Sequence, residues 1–294
     1  MKFDRAVRRK IFSHGMTVAS GLAIVAIMVP LASVIYEAIV QGGSVFNLAF
    51  FTQGIPYPCS PRAGVVCQQG GIEPAIQGTF ILVGLASLYS VPLGVGAAIF
   101  AVEYGSERGI ARIIGMAADV LAGVPSIVVG AFIYALVLLY DPAIVFSTIS
   151  GSLALAVIMV PIVTRTTEEA LRTVPNSVRE AALALGISRW KTSVRIVLVS
   201  ALPGVLTGVL LAVARAAGEA APLLLVCNGL RSFSGFNNVV AAVPIMMFTF
   251  ATTPYQNWIN LAWGGALFLL VLILGLSLAS RYVLNRMARR MRGG

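Results

Sequence analysis

Uncharged runs long enough to cross a lipid bilayer recur along this sequence, at residues 16–36, 74–102, 120–140, 143–164 and 261–280. Each is close to or longer than the ~20 residues that a helix needs to span a ~30 Å hydrocarbon core. A sixth run, 204–226, has the length but carries two charges, Arg215 and Glu219. In lipid every backbone N–H and C=O must find its partner inside the protein, and helices do this within one segment. The pattern therefore predicts an all-α, polytopic membrane fold with six transmembrane helices. Only 11% of the 294 residues are charged, against about 25% in a typical soluble domain. So little chain lies outside the runs that one transmembrane domain over 1–294 is expected. Its outer loops fall at about 41–73 and 229–257, and its charged inner loop at about 165–203.

The first run follows a basic start (Lys2, Arg5, Arg8, Arg9, Lys10), as a signal peptide would. It exceeds the usual ~7–15 apolar residues and has no clear small-x-small cleavage site, so it reads as an uncleaved first span. Lys and Arg then set the orientation. With both termini inside, eighteen of them fall on the inner side, Arg62 and Arg231 fall outside, and Arg215 lies in the membrane. This satisfies the positive-inside rule and predicts a multi-pass protein of the cell membrane with both termini cytoplasmic. It also accounts for the net charge of +10 through topology and lipid headgroups. No folded basic domain is present, so no nucleic-acid partner is expected.

The three cysteines are Cys59 and Cys67 in the first outer loop and Cys227 near the end of the fifth run. Cys59 and Cys67 are either a disulfide stapling a Gly- and Pro-rich loop in an oxidising exterior or two free thiols. Metal-ligand spacing is absent. The single histidine, His14, sits at the inner mouth of the first span and reads as interfacial.

The inner loop, "EEALRTVPNSVREAALALGISRWKTSVRIVLVSALPG", has helical rather than disordered composition. Ser177 and Glu180 have the spacing of a capping box. Val178, Ala181, Ala182 and Leu185 then follow on one predicted face, and Gly186 supplies a left-handed stop. Ser188 is positioned to cap a second helix bearing Trp190, Val194 and Val197, and Pro203 marks the start of the next span. The expectation is a helix–Gly–helix unit lying on the inner surface. It either docks into a groove of another protein or rests on lipid headgroups.

The run "EAALALG" at 180–186, continued to Leu202-Pro203, resembles the EAA loop of ABC importer permeases. In that family the loop is a coupling helix that enters a cleft in the ATPase subunit. The resemblance assigns this contact to Ser177, Glu180, Ala181, Ala182, Leu185 and Gly186. The runs "GGIEPAIQGTFIL", "LAGVPSIVVG", "ARAAGEAAPLLL" and "AAVPIMMFTFATTP" are similar to the PstA-type permease subunits of phosphate ABC importers. The likeness covers roughly 70–266, most of the chain. One departure is Ala220, where the family pattern often has Thr, and the cysteine-bearing loop has no place in the pattern. The resemblance implies a MetI-like, type I importer fold. It also implies a PstC-type permease partner, two PstB-type ATPase subunits, an extracellular PstS-type phosphate-binding protein and phosphate as cargo. Lysine occurs only at positions 2, 10 and 191, so no G-x-x-x-x-G-K-[ST] phosphate loop exists. No cofactor is expected on this chain, ATP and Mg belonging to the ATPase. The alternatives are a permease for another oxyanion (sulfate, molybdate, phosphonate) and a secondary anion transporter.

The resemblance leaves Arg215 and Glu219 to be explained. A charge at the bilayer centre costs at least ~2.5–3.5 kcal/mol, and an i,i+4 ion pair returns only ~0.2–0.5 kcal/mol. Stability alone does not justify them. They read as a substrate-path pair, Arg215 attracting an oxyanion and Glu219 keeping the site from trapping it, or else as a packing pair bridging to a neighbouring helix. Pro222 predicts a kink near Gly218. Asp119 reads as a helix start or as a partner for a loop arginine such as Arg179. Met246, Met247, Phe248 and Phe250 form an apolar stripe, expected to pack on neighbouring spans or to meet a binding protein.

Overall fold

A computed structural model describes residues 3–59, 70–105, 109–227, 229 and 233–292. The long helices begin where local chemistry allows. Asn47 caps the short helix α2 (Leu48–Thr52), which follows α1 (Phe3–Val45), by accepting the Phe50 N–H at 3.0 Å. Helix α3 (Glu73–Ile99) opens on an acidic residue and a proline in its first turn, both favoured there. It continues as a π-helical turn, Phe100–Tyr104. Helix α6 (Thr148–Arg172) is capped by the Ser147 hydroxyl, which accepts the Ser150 N–H at 3.2 Å.

The third predicted span is not straight. Helices α4 (Ile110–Gly123) and α5 (Ser126–Tyr140) meet at 103°. The cause lies in Gly123-Val124-Pro125. Proline pushes the residue before it out of the helical region, and Val124 is extended at φ −70°, ψ 130°. Counting this bent pair once, the described residues hold six helical units long and apolar enough to cross a membrane.

The predicted second loop helix is also revised. Beyond α7 (Asn176–Ala184), α8 (Arg189–Lys191), a π-helical turn (Thr192–Val197) and α9 (Leu198–Ala217) form one continuous unit. What looked like a surface helix is the root of the fifth span, and Pro203 lies inside it. In place of the kink expected at Pro222, α9 ends outright at Ala217. The chain then turns through Gly218–Pro222 into the short α10 (Leu223–Val226). After it, residues 239–242 form no regular secondary structure, followed by α11 (Val243–Ala251) and the final α12 (Gln256–Arg292). Met246 and Phe250 of the apolar stripe are fully buried, whereas Phe248 is exposed.

Helices α3, α6 and α9 form the centre, with α12 beside α9 and α1 beside α12. Small residues bring the backbones together, as expected where lipid supplies no hydrophobic drive between helices. A Cβ on Gly94 would meet Val163 at 2.8 Å, joining α3 to α6, and one on Gly208 would meet Thr166 Oγ1 at 2.0 Å, joining α6 to α9. Residues 240–242 of this non-helical segment are buried, packed against α3. There Thr79 Oγ1 accepts the Val243 N–H at 2.9 Å, and a Cβ on Gly78 would lie 1.9 Å from the Ala241 carbonyl oxygen. Non-helical backbone at this depth is tolerated because it is enclosed by protein.

Candidate functional site

Two places gather the polar side chains of this apolar bundle. The first is the break in α9. Gly130 of α5 packs on the backbone of Pro222, with its Cβ position 2.7 Å from Pro222 Cα. Gly130 is ten residues from the end of α5 at Tyr140, about 15 Å at helical rise. Pro222, and with it the break after α9, therefore packs against the first half of α5. Arg215 occupies the last turn of α9, and Glu219 lies within the break. Their Nε–Oε1 distance is 3.4 Å, with side chains 54% and 18% exposed. This contact is longer than the ~2.7–2.9 Å of a tight charge-assisted bond. Neither residue has another ion pair or side-chain hydrogen bond among the described residues. Among the described residues the pair makes no bridge to a neighbouring helix. Leu211, one turn earlier, and Gly218 share the exposed side of α9 with Arg215.

The second place is the loop end of the bundle. Helix α7 begins at Asn176 with Pro175 in the cap position and no side-chain cap bond, so the capping box is not formed. Ser188 does occupy the next cap position, where its carbonyl accepts the Thr192 N–H at 3.0 Å but its side chain makes no cap bond. Gly186 adopts φ +76°, the left-handed stop that the sequence required. The predicted apolar face divides in two. Ala182 is buried at 5% exposure and Val178 half-buried against the bundle, whereas Ser177, Glu180, Ala181 and Leu185 face outward, Leu185 at 81% exposure. Trp190 is exposed and Val197 buried, so these two do not share a face either.

Sequence reading named Asp119 as a partner for a loop arginine but missed Glu103 and Glu168, which hold this end. Glu103, in the π-helical turn after α3, is 7% exposed at its side chain and receives Arg179 at 2.9 Å. Its other carboxylate oxygen accepts the Ser193 hydroxyl at 3.3 Å, and its backbone carbonyl accepts Arg189 at 2.8 Å. Arg189 also lies over the Tyr104 ring, 5.2 Å from its centroid. Asp119 pairs with Arg165, not with Arg179. Arg165 and Arg172 both reach the buried Glu168, at 2.9 and 2.5 Å. Glu168 sits three and four residues from its partners, a spacing the sequence shows, whereas Asp119–Arg165 and Glu103–Arg179 lie 46 and 76 residues apart, with no signal beyond the charges themselves. A cavity of about 510 Å³ opens between Val102, Arg172, Arg179 and Arg189.

Of the remaining candidates, Cys59 is disulfide-bonded, while Cys67 lies outside the described residues. Cys227 is a buried free thiol that donates to the Val240 carbonyl at 3.3 Å. His14 hydrogen-bonds the Lys10 carbonyl oxygen one turn back.

A membrane bundle with a broken central helix and an outward-facing helical hairpin at one end defines a transport permease of the type I ABC importer class. The solved structure of the MetNI methionine ABC transporter in inward-facing conformations shares this fold. Its TM-score is 0.59 at 15% identity, over 74% of this chain and 95% of that one. Residues 90–293 match the family described as binding-protein-dependent transport system inner membrane component. The phosphate transport system permease protein PstA of Xylella fastidiosa is 42% identical over 82% of this chain and 81% of its own length. The PstA protein of Haemophilus influenzae is 36% identical over 96% and 98%, and PstA 1 of Mycobacterium tuberculosis 35% over 97% and 92%. The chain belongs to the inner membrane component family of binding-protein-dependent transport systems, as a member of its PstA-type branch.

Proposed function

We propose that this chain is the PstA-type permease subunit of an ATP-driven phosphate importer. The observation that carries the reading is the free face of α7, with Ser177, Glu180, Ala181 and Leu185 turned outward and Gly186 ending the helix beneath them. A short helix offering small and apolar side chains beside a carboxylate is what a groove on another protein accepts. That partner is an ATPase, present in two copies, with ATP and Mg bound there and none on this chain. A PstC-type permease supplies the other half of the path, and a PstS-type protein delivers phosphate from outside. Phosphate as cargo is supported by the names of relatives that match nearly the whole chain.

Both termini and α7 lie on the cytoplasmic side in this reading, and a Cys59–Cys67 disulfide staples the outer loop. Closure of the ATPases on ATP pushes α7, which is joined directly to α6 and, through Gly186, to the root of α9. Movement of α9 opens or closes the region around its break. There Arg215 meets the phosphate oxyanion and Glu219 competes for the guanidinium, so that the anion is released.

The test is reconstitution of the four kinds of subunit into proteoliposomes, with a Leu185→Cys variant for cross-linking. ATP-dependent phosphate uptake, resistant to excess sulfate, together with a cross-link from position 185 to the ATPase, is expected. Uptake of sulfate or molybdate instead would transfer the assignment to another oxyanion, and uptake without ATP would indicate a secondary transporter. Reporters fused after Arg172 and Arg292 should read cytoplasmic and those after Arg62 and Arg231 external. An external Arg172 would overturn the docking assignment.

A further inference from the structure

We infer that Glu103 is a positioning residue that locks both arms of the α7–α8 hairpin to the end of α3, so that a push on α7 moves the bundle instead of bending the hairpin. The inference rests on reading α7 as the ATPase contact.

Helix α7 is flanked by two joints that chain connectivity leaves free to swivel. One is Pro175, extended at φ −61°, ψ 146°, and the other is Gly186 at φ +76°. A force applied to the free face of α7 would bend these joints first. What opposes bending is a set of side-chain ties converging on one residue. Glu103 holds the first arm through Arg179, at 2.9 Å from both Nε and the terminal nitrogen to one carboxylate oxygen. It holds the second arm through the Ser193 hydroxyl at 3.3 Å on the other oxygen and through Arg189 at 2.8 Å on its own carbonyl. These partners are 76, 90 and 86 residues away in sequence. They converge on the end of α3, which packs along α6. A push delivered through the latch therefore reaches the α3–α6 pair as one body.

Two further observations fit a positioning role. Glu103 and one of its three partners, Ser193, lie in π-helical turns, Phe100–Tyr104 and Thr192–Val197, an irregularity that re-aims side chains and recurs at functional sites. The carboxylate is also nearly fully buried. Burying an ion pair costs more in desolvation than it returns in stability when an apolar pair would fit the same space. Fixed geometry is what such a pair supplies.

The structure also provides a selective test. Arg179 has other anchors, donating to the carbonyls of Val174 at 2.6 Å and Leu171 at 3.0 Å. Arg189 uses the backbone oxygen of residue 103, which any substitution keeps. Glu103→Ala therefore removes the two carboxylate ties, to Arg179 and Ser193, keeps the Arg189 backbone tie and leaves α7 attached to the end of α6. In the reconstituted complex, Glu103→Ala should retain its ATPase subunits and their ATP hydrolysis. Phosphate taken up per ATP should fall about tenfold or more, within the roughly 5–150-fold range of coupling between sites. Glu103→Asp, which keeps the charge, should recover part of the loss. Spin labels at Leu183 of α7 and Leu88 of α3 should give one narrow distance in the wild-type background and a broad distribution with Glu103→Ala. Unchanged uptake per ATP with a narrow distribution would overturn the inference. So would loss of the ATPase from both variants without broadening, since that would mark a purely structural role. Failure of the underlying reading would look different: the wild-type complex would show no phosphate uptake, or no cross-link from position 185.

Discussion

Arg215→Gln removes the cation from the broken end of α9, and the structure sets the size of the effect. The Arg215–Glu219 contact is long, at 3.4 Å, and the arginine side chain is 54% exposed. Such a local pair contributes ~0.2–0.5 kcal/mol in an isolated helix, and exposure screens it further. The variant should therefore assemble, and its thermal midpoint in detergent should stay close to that of the wild type. Transport should respond differently. A hydrogen bond to a charged group contributes about 1.5–3 kcal/mol, and about 1.4 kcal/mol is a factor of ten. The initial rate of radiolabelled phosphate uptake at limiting substrate should therefore fall by roughly 10- to 150-fold, while ATP hydrolysis continues. Arg215→Lys should retain part of the rate, because it keeps the charge and loses the planar fork. Glu219→Gln should slow release, and the double variant Arg215→Gln/Glu219→Gln should stay as inactive as the first. Recovery of uptake in the double variant would refute the reasoning, because only a pair whose purpose is mutual neutralisation is rescued by removing both charges.

Three further outcomes follow from the packing. Gly186→Val meets no atom within 4 Å of its Cβ but must hold φ +76°, a left-handed conformation that costs an L-residue about 1–2 kcal/mol. ATPase copurification should weaken while the thermal midpoint of the bundle barely moves, and normal uptake by this variant would remove the coupling assignment. Gly208→Leu places its Cβ 2.0 Å from Thr166 Oγ1, whereas Gly218→Ala has nothing nearer than 3.7 Å. The first should lose roughly 1–3 kcal/mol or more to overpacking and the second should be close to neutral, as thermal unfolding in detergent will show. A reversed order would contradict the α6–α9 contact.

The spans were legible because the bilayer imposes one simple demand, an apolar stretch of fixed length, and the sequence meets it openly. Gly186 was legible for a similar reason, since only one residue type readily takes its backbone angle. The break at Gly123-Val124-Pro125 was also written in the sequence, as a residue held extended before proline, but the continuous apolar run around it hid the signal. The capping box failed because Pro175 already begins the helix, so Ser177 falls inside the first turn. The division of the α7 face could not be read, since it depends on which side meets the bundle. Glu103 was the largest omission. It lies at the edge of an apolar run, its partners are some eighty residues away, and nothing in its surroundings marks it as more than the end of a span. Arg215 and Glu219, four residues apart on one helix, carried their pairing in the sequence, although their exposure and distance required the structure.

The slot that holds residues 239–242 constrains the order in which this protein is built. Its walls, Gly78 and Thr79, are synthesised some 160 residues before the segment that fills them, the Thr79–Val243 hydrogen bond joining positions 164 apart. The bilayer reduces that search by fixing α3, α6 and α9 as they insert, so that only the stretch after α10 remains to close. Until it does, the Thr79 hydroxyl, 4% exposed in the finished protein, lines an open cleft. A Thr79→Cys side chain should therefore label with thiol reagents in nascent chains arrested before residue 239 and resist them in the completed chain; equal protection in both would show that the cleft is never open. The segment between the fifth and sixth spans is made after the helices it packs against, so the centre of the molecule is sealed only once most of the chain has been made.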